Sequence, residues 1–487
     1  MASSAKKDLT LLHALITVFF MFGFSHIVPP LGCITPYGMK ILGIFIGLLY
    51  GWTASNLIWP TFLGMIALVS TGAFTMKEFF ALSFGNETVV FLLVLFVFTG
   101  LVDAVGLIKF IANWFVSRKC VNGRPWVFST LVIFGAFVAG GFINMFAALI
   151  VFWGIIYIVS DMFGFKPYDK YPTLMIFGIA IASFLGGSVM PYKLVPLAMI
   201  GAYDKMLAAA GLGEGINFMQ YVSYSLPVAV ALTVLYILIC RFVFRPDLKD
   251  LRCISTDFVN PEDLKLSAKQ KTVFILLLVF IFLMLAPGFL PKGWGFTWFI
   301  NQIGIGGCVM LLLIVTFWLK FDGKPLMDFK AMASLGMAWE PYVMFALILP
   351  FTTIFTSADT GISQFIVTAL SPIFAGKPTI LFILLFILIP TILTNIANNM
   401  VVGIAFLPIL LSVGVNLGVN IHALFVTLIF AVSLAFVTPA ASPGAAIVFA
   451  NVSWLRAKDI YKYASIYIVI AFVFLVTVGL AWANIIF

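Results

Sequence analysis

Charge is what this 487-residue chain has least of: Asp, Glu, Lys and Arg together make up 9% of it. With 63% hydrophobic residues and a mean hydropathy of +1.17, there is too little polar surface to coat a soluble globule, so the chain reads as a polytopic membrane protein. Histidine is scarce too, and His13, His26 and His422 stand far apart with no metal-ligand spacing. The five cysteines (Cys33, Cys120, Cys240, Cys253 and Cys308) show neither metal nor redox spacing and read as small packing residues. There is no glycine-rich phosphate loop with its Lys-Ser/Thr pair and no soluble nucleotide-binding domain, which argues against an ATP-driven pump. The net charge of +9 is dispersed among loops instead of forming a stripe, so nucleic acid is not an expected partner. An enzyme is not expected, nor a resident metal or cofactor.

What is present is a series of apolar runs. The N-terminus, "MASSAKKDLTLLHALITVFFMFGF", has a basic start and an apolar core, but no small-x-small cleavage site follows, so it reads as a retained first span. Asking for roughly 20 apolar residues per span gives segments 11–29, 38–55, 57–73, 86–116, 171–210, 218–243, 271–290, 300–319, 338–372, 420–450 and 461–486. Two further stretches, 125–160 and 378–415, are broken near the middle at "GGFINMFAA" and "NIANNMVVG", and read as re-entrant hairpins. The expectation is an all-α membrane fold of about eleven spans plus two hairpins. With the N-terminus cytoplasmic, the inside loops hold twenty Lys and Arg, and the outside holds Lys40, Lys77, Lys205, Lys292 and Lys377. This asymmetry supports a multi-pass protein of the plasma membrane with its C-terminus extracellular. The longest polar segment, "RFVFRPDLKDLRCISTDFVNPEDLKLSAKQK", then becomes a cytoplasmic linker, 244–270, between halves 1–243 and 271–487.

The halves repeat each other. Gly106 in "LVDAVGLIKFIANWF" and Gly361 in "TSADTGISQFIVTAL" each follow an acid; Asn144 comes 38 residues after the first glycine and Asn399 comes 38 after the second. Downstream, "FGIAIASFLGGSVMPYKLVPLAMIGA" answers "LIFAVSLAFVTPAASPGAAIVFAN", each a hydrophobic segment interrupted by Gly and Pro. An odd number of spans separates the hairpins, so they enter from opposite faces. Inverted repeats with paired broken helices point to a secondary transporter with its site at the midplane. Asn395, Asn398 and Asn399 crowd one apolar stretch, as expected where backbone leaves helical geometry to line a polar cavity.

The run "VTPAASPGAAIVFA", Val437 to Ala450, resembles the Pro-rich signature of the divalent anion/sodium symporter family of carboxylate and sulfate transporters, and the similarity runs through nearly the whole chain. The resemblance implies a homodimer in the lipid bilayer, each protomer split into a scaffold and a transport part that moves as an elevator. The implied cargo is a small anion of the di- or tricarboxylate kind, with sodium as the coupling ion. Carried over by position, the hairpin tips are Ile143-Asn144-Met145 and Asn398-Asn399-Met400. The broken-helix loops are Gly186 to Pro196 and Thr438 to Ala445, which bring Lys193 in the first half and Thr438, Pro439, Ser442 and Pro443 in the second toward the substrate. The tips keep a central Asn but lack the family's Ser and Thr hydroxyls, which help hold carboxylate and sodium. The first loop carries Lys193-Leu194-Val195-Pro196-Leu197 in place of Gly-Thr-Pro-Pro-Asn, and Ala445 replaces the second loop's Asn. These departures count against family-type sodium coordination.

A lysine in an apolar stretch costs roughly 3 kcal/mol or more unless it is paired or functional. Lys193 therefore either snorkels or pairs with a structural acid such as Asp103, or its ammonium occupies the place of a bound sodium or attracts the substrate carboxylate. Asp103 and its near counterpart Asp359 either anchor their helices or relay ions. Lys109, six residues from Asp103, is not its neighbour on one helical face. Glu87 and Glu340 fall near span ends. The functional expectation is a secondary active organic-anion transporter independent of sodium, running as an anion exchanger or coupled to protons. The competing expectation is a sodium/proton-type cation antiporter of related architecture; a scaffold or receptor is a distant third.

Overall fold

A computed structural model of the chain describes residues 11–254, 261–291, 293–321, 323–355, 357–362, 364–365, 368–369, 378–439 and 441–487. Lys6, Lys7, Lys292, Lys377, Ala440 and most of the tail of segment 338–372 lie outside the described residues.

Among the described residues the chain is helical except for turns and one two-residue strand pair, Lys320–Phe321 against Lys324–Pro325. Helices satisfy their interior backbone groups within one segment, which hydrocarbon demands. In the first half these are α1 (Leu11–Ile27), α2 (Pro36–Ala54), α3 (Ile58–Ser70), α4 (Met76–Leu82), α5 (Glu87–Ala104) and α6 (Leu107–Val116). They continue as α7 (Pro125–Phe142), α8 (Met145–Met162), α9 (Lys170–Gly186), α10 (Leu194–Ala210) and α11 (Phe218–Phe244). The second half holds α12 (Ala268–Leu285), α13 (Gly295–Trp318), α14 (Phe329–Gly336), α15 (Trp339–Phe355) and α16 (Thr379–Leu393). It ends with α17 (Asn399–Gly414), α18 (Ile421–Ser433), α19 (Pro443–Ala450) and α20 (Ala457–Ile486). Seven described helices, α5, α7, α8, α11, α12, α13 and α20, are long and apolar enough to cross a bilayer, and shorter apolar helices stand beside them. Large apolar side chains such as Leu11, Ile150, Phe242 and Val469 remain exposed.

Three segments expected as single spans are each two helices. Segment 86–116 divides at Gly106, 171–210 between Gly186 and Leu194, and 420–450 between Ser433 and Pro443. Gly106 and Gly361 both adopt the left-handed conformation, with φ 68° and 67°, which an L side chain enters only with strain. The repeat is therefore visible in the backbone: the series α4, α5, break, α7 to α11 recurs as α14, α15, break, α16 to α20.

The few polar residues are largely spent on helix starts. Thr35, Asn86, Asn144, Asn217, Asp328, Asn398, Asn420 and Ser442 each accept a backbone N–H of the helix they precede, and Thr75/Glu78 and Ser267/Gln270 form capping boxes. Where such a cap is buried no water replaces it, so its position is dictated by where the chain breaks. Described residues at both ends of the long polar segment touch the helices before it. Leu251 and Ile254 are buried, the Gly123 N–H donates to the Ile254 carbonyl at 2.9 Å, and the Gln270 amide donates to the Val105 carbonyl at 3.0 Å.

Candidate functional site

The first hairpin is α7, a turn of two residues, and α8. Ile143 closes α7, and Asn144 opens α8 by accepting the Phe146 and Ala147 N–H groups at 3.0 and 3.2 Å. Those bonds fix the amide's orientation, so its nitrogen faces away and donates to Asp103 Oδ2 at 2.9 Å. The hairpin is held against α9 by small residues. A methyl group at Gly140 would collide with the Ser183 carbonyl, and one at Gly186 with the Phe137 carbonyl. This close approach brings the first break beside the first tip.

The last carbonyls of α7 point into that break. The Tyr192 hydroxyl donates to the Phe142 carbonyl at 3.0 Å, and the Lys193 ammonium donates to the Ile143 carbonyl at 2.7 Å. A cation at a helix C-terminus meets both the orphan carbonyls and the negative end of the dipole. Lys193 is itself the residue that opens α10 and is half-buried, with its ammonium 5.2 Å from the Tyr192 ring centre. Its ammonium thus binds a backbone carbonyl and not the Asp103 carboxylate. Among the described residues, its other two donors meet no acceptor. Behind this break, Tyr221 and Ser225 of α11 donate to the Ser188 and Val189 carbonyls at 2.6 and 2.7 Å.

The second half solves the same problem with different residues. Its tip spans Thr394 to Asn398, and the N-cap of α17 is Asn398, which accepts the Met400 and Val401 N–H groups at 3.1 and 3.4 Å. The capping counterpart of Asn144 is therefore Asn398, one residue before the Asn399 that a constant sequence offset selects, because α16 ends four residues closer to Gly361 than α7 does to Gly106 and the second turn, three residues longer, makes up only part of that difference. Asn399 lies beside it; its N–H donates to Ala441 in the second break at 3.3 Å. Ser442 caps α19 through the Ala445 N–H at 3.0 Å, Pro443 is its first residue, Met400 is buried and Pro439 is exposed.

Asn395 braces this break, a role the sequence did not disclose. Its amide nitrogen donates to the Thr391 and Leu434 carbonyls at 2.8 and 2.9 Å, and its oxygen accepts the Phe436 and Val437 N–H groups, both at 2.9 Å. Thr438 Oγ1 completes the brace by donating to the Asn395 carbonyl at 2.7 Å. One available signal was its place in the sequence, three residues before the cap.

The two breaks touch. Ser188 Oγ donates to Ser433 Oγ at 2.9 Å, and the Phe184 ring lies between Phe146, 6.1 Å away, and Phe436, stacked at 5.9 Å. A Cβ on Gly444 would strike the Phe184 ring, and one on Gly187 would crowd the Met145 sulfur. Asp103, Asn144, Met145 and Lys193 are thus gathered at one tip, and Asn398, Asn399, Met400, Thr438, Ser442 and Pro443 at the other, with Phe184 between. Asp359 is elsewhere. Its carboxylate is exposed, accepts from Ser357 at 3.3 Å, and its carbonyl is bound by Thr35 ahead of α2. Lys109 is exposed on α6, across the Gly106 turn from Asp103, and among the described residues no group of three or more His, Cys, Asp or Glu side chains comes together.

Paired broken helices whose N-termini meet at two hairpin tips define a polytopic membrane carrier. A family profile described as the sodium:sulfate symporter transmembrane region matches residues 198–487, and one described as citrate transporter matches 47–323. Each covers more than half of the chain, which belongs to the divalent anion/sodium symporter family. The search of curated proteins returned no match. Among solved structures the chain is similar to the Alcanivorax borkumensis YdaH transporter at 15% identity and a TM-score of 0.56, over 87% of this chain and 89% of that one. It is also similar to Neisseria gonorrhoeae MtrF, an antimetabolite efflux pump, at 13% identity and a TM-score of 0.55, over 97% and 94% of the two chains. At these identities the likeness is one of fold alone.

Proposed function

We propose that the protein carries an organic anion of the di- or tricarboxylate kind across the plasma membrane, as a homodimer whose transport parts move as elevators against a fixed scaffold. The two halves, 1–243 and 271–487, are inverted repeats joined by the cytoplasmic linker, and the C-terminus is extracellular. Asn144 and Asn398 with Asn399 present the anion with amides, Ser442 with a capped helix start, and Lys193 with a charge. The observation that carries the reading is the Lys193 ammonium on the Ile143 carbonyl. A fixed cation there takes, by charge and by volume, the place a mobile sodium would have at the first tip, so transport is independent of sodium. At the second break, Ala445 brings no side-chain oxygen.

The family's description names sodium, and citrate and sulfate are the natural first ligands to try. The test is a thermal-shift screen of purified protein against citrate, other carboxylates and sulfate, with and without sodium. Stabilisation by a carboxylate in sodium-free buffer that disappears in Lys193→Ala is the expected result. Stabilisation that requires sodium, or that survives the substitution, contradicts it. A protein stabilised by sodium and protons with no anion present is the antiporter instead.

A further inference from the structure

Asp103 carries an oxygen that the fold leaves unserved. Its Oδ2 accepts the Asn144 amide at 2.9 Å, while Oδ1 is buried and meets no donor among the described residues. Asn144 cannot turn to help, because its own oxygen holds the start of α8. A carboxylate left in that condition at membrane depth is costly unless a cation or a proton completes it.

The other charges around α5 do not serve it. Lys109 of α6, Lys269 and Lys271 of α12, Lys330 of α14, Glu340 of α15, and Glu262 and Lys265 of the linker are exposed, Asp161 is exposed at the far end of α8, and α13 and α7 contain no charged residue. Lys193 is the charge on the same turn: its ammonium donates to the Ile143 carbonyl, and Asp103 accepts from the next residue, Asn144. The two therefore balance each other while the site holds no anion.

The geometry points to Asp103 as the proton site that couples this carrier, an inference resting on Lys193 as the anion's counter-charge. When an anion takes the free donors of Lys193, Asp103 loses its balancing charge, and a proton from water forms an O–H bond on Oδ1. That bond breaks on the other side of the membrane as the anion leaves; no other bond changes. Anion and proton then move together. Because the charges of Lys193 and Asp103 sum to zero in the empty site, the transport part returns without a second anion, and exchange is not obligatory.

The test uses the full chain in sodium-free proteoliposomes with a trapped pH dye and radiolabelled citrate outside. One pH unit, acid outside, is worth a concentration ratio of about tenfold per proton carried. Wild type should accumulate citrate several-fold above equilibrium under that gradient, lose the accumulation with a protonophore, and acidify the lumen during uptake. Asp103→Asn, whatever its rate, should deliver fewer protons per citrate than wild type, the difference being the proton the protein bore. Wild-type uptake indifferent to the gradient overturns the coupling and leaves the anion reading intact, and it decides alone if the variant does not fold. An equal proton-to-citrate ratio in both proteins also overturns it. Absence of citrate and sulfate uptake under every ion condition overturns the anion reading itself.

Discussion

Replacing Asn395 with Ala should damage the protein in a way its neighbours do not. The change removes four hydrogen bonds at once, and three of their partners, the Leu434 carbonyl and the Phe436 and Val437 N–H groups, belong to a break with no helix to satisfy them. Leu434 and Phe436 are buried and Val437 is half-buried. An orphaned buried group costs about 1–3 kcal/mol, so three of them cost about 3 kcal/mol at the low end. That is a large share of a typical stability of about 5–15 kcal/mol. Asn398→Ala, by contrast, removes one cap and should cost about 1 kcal/mol. The assay is thermal unfolding of both variants in detergent, with folded yield from size-exclusion chromatography. Asn395→Ala should lower the midpoint about three times as far as Asn398→Ala, following the ratio of these costs. If the two variants melt together, or Asn395→Ala melts like wild type, the brace does not hold the second break and the reasoning fails.

Asn144→Ala and Asn399→Ala should each abolish anion uptake while leaving expression and dimer assembly intact, as read by proteoliposome flux and by size-exclusion chromatography with light scattering; normal uptake by both would remove the tips from the binding site. Gly140→Leu should prevent α7 from seating on α9, because the Ser183 carbonyl occupies the space of the new side chain; overpacking costs about 1–3 kcal/mol or more, and a wild-type midpoint would show that the contact is loose. Tyr192→Phe removes the hydroxyl on the Phe142 carbonyl at little cost in packing, and should weaken citrate binding less than Lys193→Ala in the thermal-shift screen; an equal loss would put the charge of Lys193 out of the argument.

Much of this was legible in the sequence because hydrocarbon leaves few solutions. A chain break at membrane depth needs a glycine, a proline or a capping side chain, and each of these is conspicuous in an apolar run. Gly106 and Gly361, the Asn caps and the Pro-flanked loops all announced themselves in that way, and the structure places breaks at each. What stayed hidden was long-range. Tyr221 and Ser225 brace the first break from α11, and Asn395 braces the second from α16's end, so equivalent strain is relieved by unrelated residues in the two repeats. A constant sequence offset could not reveal that α16 ends early and that the longer turn after it puts the cap at Asn398. Nor could it reveal that Asp103 turns toward a hairpin tip while Asp359 is stitched to the segment before α2.

Sodium-free uptake is the measurement closest to the central claim. Proteoliposomes containing wild type or Lys193→Ala are given radiolabelled citrate in choline buffer, and the same experiment is repeated with an inward sodium gradient. If the ammonium on the Ile143 carbonyl stands in for the first-tip sodium, wild type takes up citrate equally well in both buffers and Lys193→Ala loses sodium-free uptake. Uptake by wild type that appears only with the sodium gradient, or a Lys193→Ala protein that transports like wild type in choline, contradicts it.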